Sequence, residues 1–309
     1  MLQYDIINCL EVLIMDEMRD LLTIMQDKMP EFSKGQKRIA NFLIEHYDKA
    51  VYLTAAKLGE IAGVSESTVV RFAIELGFDG YPGLQEALEE VVKNKLTASQ
   101  RMRVSYDRIS RNDKHILNTV LERDADRIYS TLADIDTSVF DEAVNKIIEA
   151  KTVYLVGGRS AAPLSAFFSF YLNLMRPNVV NVGLAGATEL FEQIFRIDRG
   201  DVFVGISFPR YSQRTIKAME YAYTKGATTI ALTDTDKSPL AGYATCCLTA
   251  RSDMVSFVDS LVAPLSVINA LLVAISINKR EDLDRSLDKL EKLWNEYQVY
   301  TSHPTKKYL

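Results

Sequence analysis

Residues 54–76 read TAAKLGEIAGVSESTVVRFAIEL, and this stretch carries the pattern of two short helices joined by a tight turn. Thr54 is a typical N-cap for the first helix. Gly63 follows that helix and can adopt the positive φ that a turn between two nearly perpendicular helices requires. Ser65 is a typical N-cap for the second helix. Apolar side chains recur there at helical spacing, at Val69, Phe72, Ala73 and Leu76. The stretch therefore predicts a helix-turn-helix.

The other face of the second predicted helix is polar. It carries Ser67 and Thr68 near the helix N-terminus and Arg71 one turn further on. Short polar side chains and an arginine in these positions suit contacts with phosphates and base edges in the major groove of DNA. The residues predicted to bind DNA are Ser65, Ser67, Thr68 and Arg71. An ordinary helical hairpin is the alternative interpretation, because Glu66 and Glu75 offset the charge of Arg71.

Further along the chain, short β-branched segments alternate with helical ones. The segments are residues 152–156, 179–182, 201–206, 228–232 and 245–249. Each is too short and too rich in Val, Ile and Thr for a helix, and the gaps between them suit crossover connections. The predicted fold class is an all-α helix-turn-helix domain followed by an α/β doubly wound domain with a five-stranded parallel sheet.

Two predicted strands lead into loops that could hold an anion. Residues 157–160 (GGRS) follow the first strand, and residues 207–212 (SFPRYS) follow the third. In a doubly wound sheet such loops converge at the switch point, where hydroxyls and helix N-termini can surround a phosphate. The predicted ligand-binding residues are Gly158, Arg159, Ser160, Ser207, Arg210 and Ser212. Alternatively, the glycine turn only connects a strand to a helix without binding a ligand, and Arg210 is a surface turn residue. The sequence contains no G-x-G-x-x-G or P-loop pattern for a nucleotide.

Both halves resemble parts of one protein family. Residues 58–72 (LGEIAGVSESTVVRF) and 76–81 (LGFDGY) closely resemble the helix-turn-helix of the RpiR family of bacterial regulators, and residues 33–40 (SKGQKRIA) resemble the start of its first helix. Residues 150–277 resemble the sugar isomerase (SIS) domain. This pairing resembles the RpiR architecture, which implies a DNA-binding transcriptional regulator modulated by a phosphorylated sugar or a related carbohydrate derivative.

The sequence departs from the family pattern at several positions. Ile74 and Glu75 stand where relatives often carry basic residues, and Leu84 stands where an aromatic residue is common. Phosphosugar-binding relatives usually have a Ser-x-Ser-Gly-x-Thr loop, whereas this chain has Pro209 for the middle serine and Arg210 for the glycine. The resemblance therefore implies a variant loop.

The alternative function is a phosphosugar isomerase or lyase with an appended helical domain. Such chemistry needs a base near the first sugar carbons and often a histidine for ring opening. No histidine lies between residues 151 and 277, and Glu189 and Glu192 are the carboxylates that could act. We therefore expect no catalysis and no cofactor.

Composition places the chain among ordinary globular proteins. Hydrophobic residues make up 48% and charged residues 25% of its 309 residues, and the formal net charge of −5 means that any DNA contact depends on a local surface. The chain has no disulfide framework or metal-ligand spacing among its few cysteines and histidines, at Cys9, Cys246, Cys247, His46, His115 and His303.

The N-terminal residues lack the basic region of a signal peptide, and no apolar run reaches membrane-spanning length. We expect a cytoplasmic protein that starts at Met1, Met15 or Met18. The predicted domains are an N-terminal helical extension (1–24), the helix-turn-helix domain (25–92), a linker (93–127), the SIS-like domain (128–280), and a C-terminal helix and tail (281–309).

The expected partners are operator DNA and a sugar phosphate, with no membrane. We also expect a homodimer or homotetramer, because one nearly neutral recognition helix would bind an operator weakly. Residues 256–277 form a predicted helix that is too apolar for exposure to solvent, and we expect it to lie between copies of the chain.

Overall fold

The computed structural model describes residues 21–95, 115–182, 187–252 and 258–299. The chain divides into two units, residues 1–112 and residues 113–309. Each unit has its own secondary-structure class, as the change of pattern along the sequence predicts.

The first unit is helical throughout its described residues. Its helices are α1 (Leu21–Asp27), α2 (Lys34–Ala50), α3 (Ala55–Ala62), α4 (Glu66–Glu75) and α5 (Tyr81–Lys95). A capping box begins α2, because the Ser33 hydroxyl accepts from the Gln36 N–H and the Gln36 side chain accepts from the Ser33 N–H. Each helix contributes a fully or nearly fully buried side chain to the packing between helices, namely Met25, Leu43, Leu58, Phe72 and Leu88. The predicted helical domain is confirmed.

Helix α1 belongs to this packing. Leu21 and Leu22 are buried, so the predicted boundary at residue 24 falls inside a helix of the unit. Residues 96–114 of the predicted linker lie outside the described residues, and helix begins again at Ile116.

The second unit alternates strands and helices after two leading helices. In chain order these are α6 (Ile116–Asp134), α7 (Thr137–Glu149), β1 (Val153–Gly157), α8 (Ala162–Met175), β2 (Val179–Val182), α9 (Ala187–Ile194), β3 (Val202–Ile206), α10 (Gln213–Thr224), β4 (Thr228–Thr233), β5 (Cys246–Thr249), α11 (Val262–Asn278) and α12 (Arg280–Glu296).

The strands form one parallel sheet in the order β2-β1-β3-β4-β5. Val153 of β1 lies opposite Val179 of β2 on one side and Val202 of β3 on the other. One sheet face packs against α7, α8 and α11, and the other packs against α9 and α10. This confirms the predicted doubly wound fold, and its strand order reverses between β1 and β3, where such folds open a crevice at the carboxyl ends of the strands.

Helix α11 packs mainly within its own unit. Its apolar side chains Val267, Ile268, Leu271, Leu272 and Ile275 are buried in the core of the unit. Burial in the core of its own unit accounts for most of the apolar character of α11, because a sheet covered on both faces needs apolar core helices. Its exposed Val273 and Ile277 leave contact with another copy as a prediction. No single helix in the described ranges is long and apolar enough to cross a membrane, and only the bent pair α11 and α12, with 98° between them, meets the length and composition test together.

Candidate functional site

The turn between α3 and α4 has the geometry that the sequence predicts. The Thr54 hydroxyl caps α3 by accepting from the Lys57 N–H at 3.2 Å. Gly63 ends α3 in the left-handed region, with φ at 64°. A side chain on Gly59 would place its Cβ 2.8 Å from the Val64 carbonyl oxygen, so only glycine allows the chain to turn back so tightly. The helix-turn-helix is therefore fixed by its own residues.

The predicted DNA-binding side chains lie together at the start of α4. Ser65 and Ser67 are exposed, and the Ser65 hydroxyl lies 2.9 Å from the Ser67 hydroxyl and 2.8 Å from the Thr68 hydroxyl. Ser65 occupies the N-cap position but makes no side-chain capping bond, contrary to the simple capping expectation. Arg71 is exposed one turn later, and its Nε–H donates to the Ser67 carbonyl at 3.2 Å. The four residues form one polar surface of hydroxyls and a guanidinium.

Helix α2 brings a further cation to this turn that sequence reasoning missed. The Arg38 guanidinium donates to the Gly63 carbonyl oxygen at 2.9 Å and remains exposed. A Cβ on Gly35 would lie 3.2 Å from the Val64 side chain and 3.7 Å from the Thr68 side chain. The start of α2 therefore packs closely against the turn. Arg38 is 25 positions from Gly63 in the chain, and no local spacing signals the contact.

In the second unit, the loops after β1 and β3 meet at the sheet's switch point. A Cβ on Gly158 would lie 2.7 Å from the Ser212 hydroxyl oxygen and 3.4 Å from the Thr215 hydroxyl oxygen. Glycine at position 158 is what allows this approach of the two loops. The structure therefore brings together Gly158 and Ser212, which the sequence nominated from different loops.

Serine hydroxyls organise the second loop. The Ser207 hydroxyl accepts from the Ser212 N–H at 3.0 Å, and the Ser212 hydroxyl caps α10 by accepting from the Thr215 N–H at 3.4 Å. Ser207 is buried and Ser212 is half-buried. Ser160 is exposed in a short 3-10 turn (Arg159–Ala161) that leads into α8, and among the described residues its hydroxyl makes no hydrogen bond to the second loop.

Thr215 is a residue that the sequence analysis did not nominate. Its side chain is 1% exposed, and its hydroxyl has no hydrogen-bond partner among the described residues. Buried hydroxyls are almost always hydrogen-bonded, because an unpaired one costs about 1–3 kcal/mol. The hydroxyl also lies against Gly158 and beside Ser212, so this unpaired donor sits where the two loops meet.

Both loops hold an arginine in a left-handed backbone conformation. The φ angle is 55° at Arg159 and 64° at Arg210, and both side chains are exposed. Non-glycine residues rarely adopt this region, and such outliers cluster at functional sites. The two guanidinium groups add positive charge to the loops at the carboxyl ends of β1 and β3.

A groove of about 430 Å³ lies at the carboxyl ends of β4 and β5. Its lining is acidic, whereas the loops after β1 and β3 carry positive charge. It is lined by Asp134, Asp136, Asp234, Asp236 and Arg251, among others. Hydrogen bonds from the Ser138 hydroxyl and N–H lower the pKa of Asp136, which keeps this carboxyl ionised. Four carboxylates against one guanidinium disfavour an anion, so the groove is not the candidate phosphate site.

Two family comparisons match the two units. Residues 19–95 match the helix-turn-helix domain of the rpiR family, and residues 146–274 match the SIS domain. The chain belongs to the RpiR family. It is thus a transcriptional regulator with a helix-turn-helix domain and a SIS domain, and the fold and the family resemblance of the sequence are confirmed.

Relatives of this RpiR-family chain include a named regulator. The HTH-type transcriptional regulator HexR of Pseudomonas aeruginosa is 25% identical over 89% of this chain and 95% of its own length. The sugar isomerase domain of an RpiR transcription factor from Sphaerobacter thermophilus is 27% identical, covers 57% of this chain and 98% of that one, and has a TM-score of 0.55. The Vibrio vulnificus NanR protein, solved with ManNAc-6P, has the same fold at 19% identity and a TM-score of 0.57, covering 91% of this chain and 100% of its own.

Proposed function

We propose that this RpiR-family regulator is a cytoplasmic protein whose binding to operator DNA is modulated by a phosphorylated sugar or related carbohydrate derivative. The observation that carries the proposal is the meeting of Gly158 with Ser212 and Thr215 at the switch point, where Thr215 holds a buried hydroxyl without a partner among the described residues. Ligands of doubly wound sheets bind in this crevice.

The chemistry of the loops favours an anion. The hydroxyls of Ser207 and Ser212 each accept a backbone N–H, so each can direct its own O–H toward a ligand oxygen. The N-terminus of α10 adds N–H groups and a positive dipole end. The proposed ligand-binding residues are Gly158, Arg159, Ser160, Ser207, Arg210 and Ser212, to which the structure adds Thr215. The ManNAc-6P bound by the NanR protein, which shares this fold, supports a sugar phosphate.

On the DNA side, Ser65, Ser67, Thr68 and Arg71 are proposed to contact operator DNA. Their hydroxyl cluster at the N-terminus of α4 suits phosphate and base-edge contacts, and Arg71 supplies a forked donor. We propose that two or four copies act together on a two-fold operator, and that no cofactor or membrane takes part.

An isomerase or lyase is the second candidate, since the SIS fold also occurs in isomerases. Glu189 and Glu192 are both exposed on α9, where a catalytic base would be poorly shielded from water. We therefore propose that the SIS unit binds without turnover. Turnover of hexose or pentose phosphates by the purified protein would contradict this.

The proposal is tested by titrating promoter DNA from the protein's own gene neighbourhood, with and without a sugar phosphate. Arg71→Ala is expected to weaken DNA binding by about 1–3 kcal/mol per copy. The matched control is Lys49→Ala, which removes an exposed cation at the far end of α2, about 20 Å along the helix axis from the turn. Equal losses in both variants would mean that the recognition face is misplaced.

The ligand arm uses Ser160→Ala. Loss of a hydrogen bond to a charged group is expected to lower affinity for the sugar phosphate by about 1.5–3 kcal/mol, roughly ten- to a hundredfold. DNA binding without ligand is expected to survive, and the ligand's effect on DNA affinity is expected to shrink at concentrations that just saturate the wild type. Ser276→Ala is the control, because its hydroxyl bonds within α11 to the Val273 carbonyl. An unchanged ligand response in Ser160→Ala would place the anion elsewhere.

A further inference from the structure

Arg38 of α2 holds its guanidinium against the turn that leads into α4. Its Nη2 donates to the Gly63 carbonyl oxygen at 2.9 Å. A Cβ on Gly63 would lie 2.9 Å from Nη1 of the same group, so the absence of a side chain at Gly63 makes room for the guanidinium. Gly63 precedes Ser65 by two positions, which limits the separation of their Cα atoms to about 7 Å. The guanidinium is therefore fixed beside the start of α4.

Capping of α3 occupies only part of this guanidinium. A cation near the last carbonyls of a helix stabilises its C-terminus, and Arg38 serves α3 in this way through one N–H. A guanidinium has several further N–H donors. The side chain is exposed, and no carboxylate pairs with it among residues 21–95, whose structure is described. The remaining donors and the positive charge are therefore available to a ligand.

Arg71 is anchored in the same manner a few residues further along the chain. Its Nε–H donates to the Ser67 carbonyl at 3.2 Å, and its side chain is exposed. The carbonyls of Gly63 and Ser67 thus anchor guanidinium groups from two different helices, and the exposed Ser65 lies between these carbonyls along the chain. Side chains that are already anchored lose less conformational freedom when they bind a partner.

The charge at the start of α2 also suits DNA. Residues 33–41 (SKGQKRIAN) contain three cations and no carboxylate. Helix α4 itself is nearly neutral, because Glu66 and Glu75 offset Arg71. Backbone phosphates supply much of the affinity of a protein for DNA, and lysine and arginine side chains bind them. The start of α2 therefore provides positive charge that α4 lacks.

We propose that Arg38 binds a phosphate of the DNA backbone at the edge of the groove that α4 enters, so that the DNA interface extends from α4 onto α2. The guanidinium is anchored on the turn, outside α4, which suits the backbone that borders the groove and not the base edges within it. Arg38 thus positions the helix-turn-helix on any DNA sequence. The inference rests on the proposed function in taking α4 as the helix that enters the groove.

The first experiment measures how the binding of DNA by the full chain depends on salt. Fluorescence anisotropy gives the Kd for two fragments of equal length, between about 0.1 and 0.4 M salt. One fragment is promoter DNA from the protein's own gene neighbourhood, and the other is unrelated coding DNA. Each phosphate contact releases counterions, so the logarithm of the binding constant falls against the logarithm of the salt concentration with a slope of about 0.9 per contact.

Arg38→Gln removes the charge and is expected to reduce this slope by about 0.9 per copy. Release of the counterions alone then predicts a loss of affinity of about eightfold per copy at roughly 0.1 M salt and about twofold at roughly 0.4 M. The loss should be the same on both fragments, because a phosphate contact carries no sequence information. Arg38→Lys keeps the charge and should keep the wild-type slope. The control Lys49→Gln removes an exposed cation from the far end of α2 and should keep the wild-type slope and affinity.

A slope in Arg38→Gln equal to that of Lys49→Gln would overturn the proposal. A loss of affinity with the wild-type slope would leave Arg38 as a cap of α3, and a loss confined to the promoter fragment would make it a base-reading residue; either result contradicts the phosphate contact. If the wild type binds neither fragment, the proposed function fails as well. If the wild type binds promoter DNA in a ligand-sensitive manner while Arg38→Gln keeps the wild-type slope, this inference alone fails.

A second experiment uses the wild type and does not depend on whether a variant folds, which circular dichroism checks for the first. Phenylglyoxal modifies exposed arginine side chains, and mass spectrometry locates the modified residues. Saturating promoter DNA is expected to protect Arg38, because the phosphate covers its guanidinium. Arg280 on α12, whose side chain is 85% exposed, is the reference and should be modified at the same rate with and without DNA. Equal modification of Arg38 in the free and DNA-bound protein would contradict the contact.

Discussion

Thr215→Val is expected to raise the stability of the ligand-free protein and to weaken ligand binding at the same time. The side chain is 1% exposed and its hydroxyl has no partner among the described residues. Valine keeps the branched shape and replaces the hydroxyl with a methyl group. Because a desolvated hydroxyl without a hydrogen bond costs about 1–3 kcal/mol, the variant should gain a similar amount in the free energy of unfolding of the second unit.

The same substitution is expected to lower the affinity for the ligand. If the hydroxyl donates to the anion of a bound sugar phosphate, valine removes a hydrogen bond to a charged group. Such a bond contributes about 1.5–3 kcal/mol, so affinity should fall at least about tenfold. Urea denaturation measures the first effect. Calorimetric titration with ManNAc-6P and a panel of hexose and pentose phosphates measures the second.

Thr229→Val is the matched control. Thr229 is also buried, but its hydroxyl donates to the Tyr243 carbonyl at 2.6 Å and accepts from the Thr245 N–H at 3.1 Å. Valine there removes both of these hydrogen bonds, while the Thr245 N–H keeps its 2.8 Å bond to the Thr229 carbonyl, so the variant should lose about 0.5–1.5 kcal/mol of stability. If Thr215→Val is destabilised like the control, the Thr215 hydroxyl is satisfied in the free protein, and the reasoning that it awaits a ligand is refuted.

Two further predictions concern the second unit. Arg210→Gly and Arg210→Ala both remove the guanidinium, but of the two new residues only glycine suits the φ of 64°. In urea denaturation the glycine variant should therefore be more stable than the alanine variant by about 1 kcal/mol. Equal stabilities would contradict the left-handed conformation. Burial raises the pKa values of the Cys246 and Cys247 thiols to about 11. Nearby carboxylates add to this increase, Glu142 at Cys246 and Asp236 and Asp234 at Cys247. About 0.1% of each thiol is then ionised at pH 8. Mass spectrometry of the folded protein should therefore find slow labelling by iodoacetamide at pH 8, and the labelling rate should rise roughly a hundredfold by pH 10.

The parts of the fold that sequence could predict are those with local causes. Thr54, Gly63 and the hydrophobic spacing of α4 determine a helix, a turn and a helix within two dozen residues, and the structure confirms each. The ends of the strands were predicted to within one residue, because a short β-branched run bounded by turns is compatible with a strand and with few other secondary structures. Burial on both sheet faces then follows from the parallel arrangement.

The parts that sequence could not predict depend on distant neighbours. Arg38 reaches the Gly63 carbonyl from another helix, and Thr215 stands out only because its buried hydroxyl has no hydrogen-bond partner in the described part of the chain. The apolar segments show the same limit. Composition alone indicated that α11 must be buried, but only the structure shows that the core of its own unit buries most of it.

The loop after β3 combines a departure from a family sequence pattern with a backbone conformation that glycine favours. The resemblance to phosphosugar-binding relatives implies glycine at the position of Arg210. The structure gives Arg210 the left-handed φ of 64° that glycine adopts without strain. The Ser212 hydroxyl caps α10, and the Ser207 hydroxyl accepts from the Ser212 N–H. The loop thus carries a guanidinium at a position whose backbone conformation suits glycine. An arginine in this region costs about 1–2 kcal/mol, and we propose that its charge offsets this cost by contacting the anion of a bound ligand.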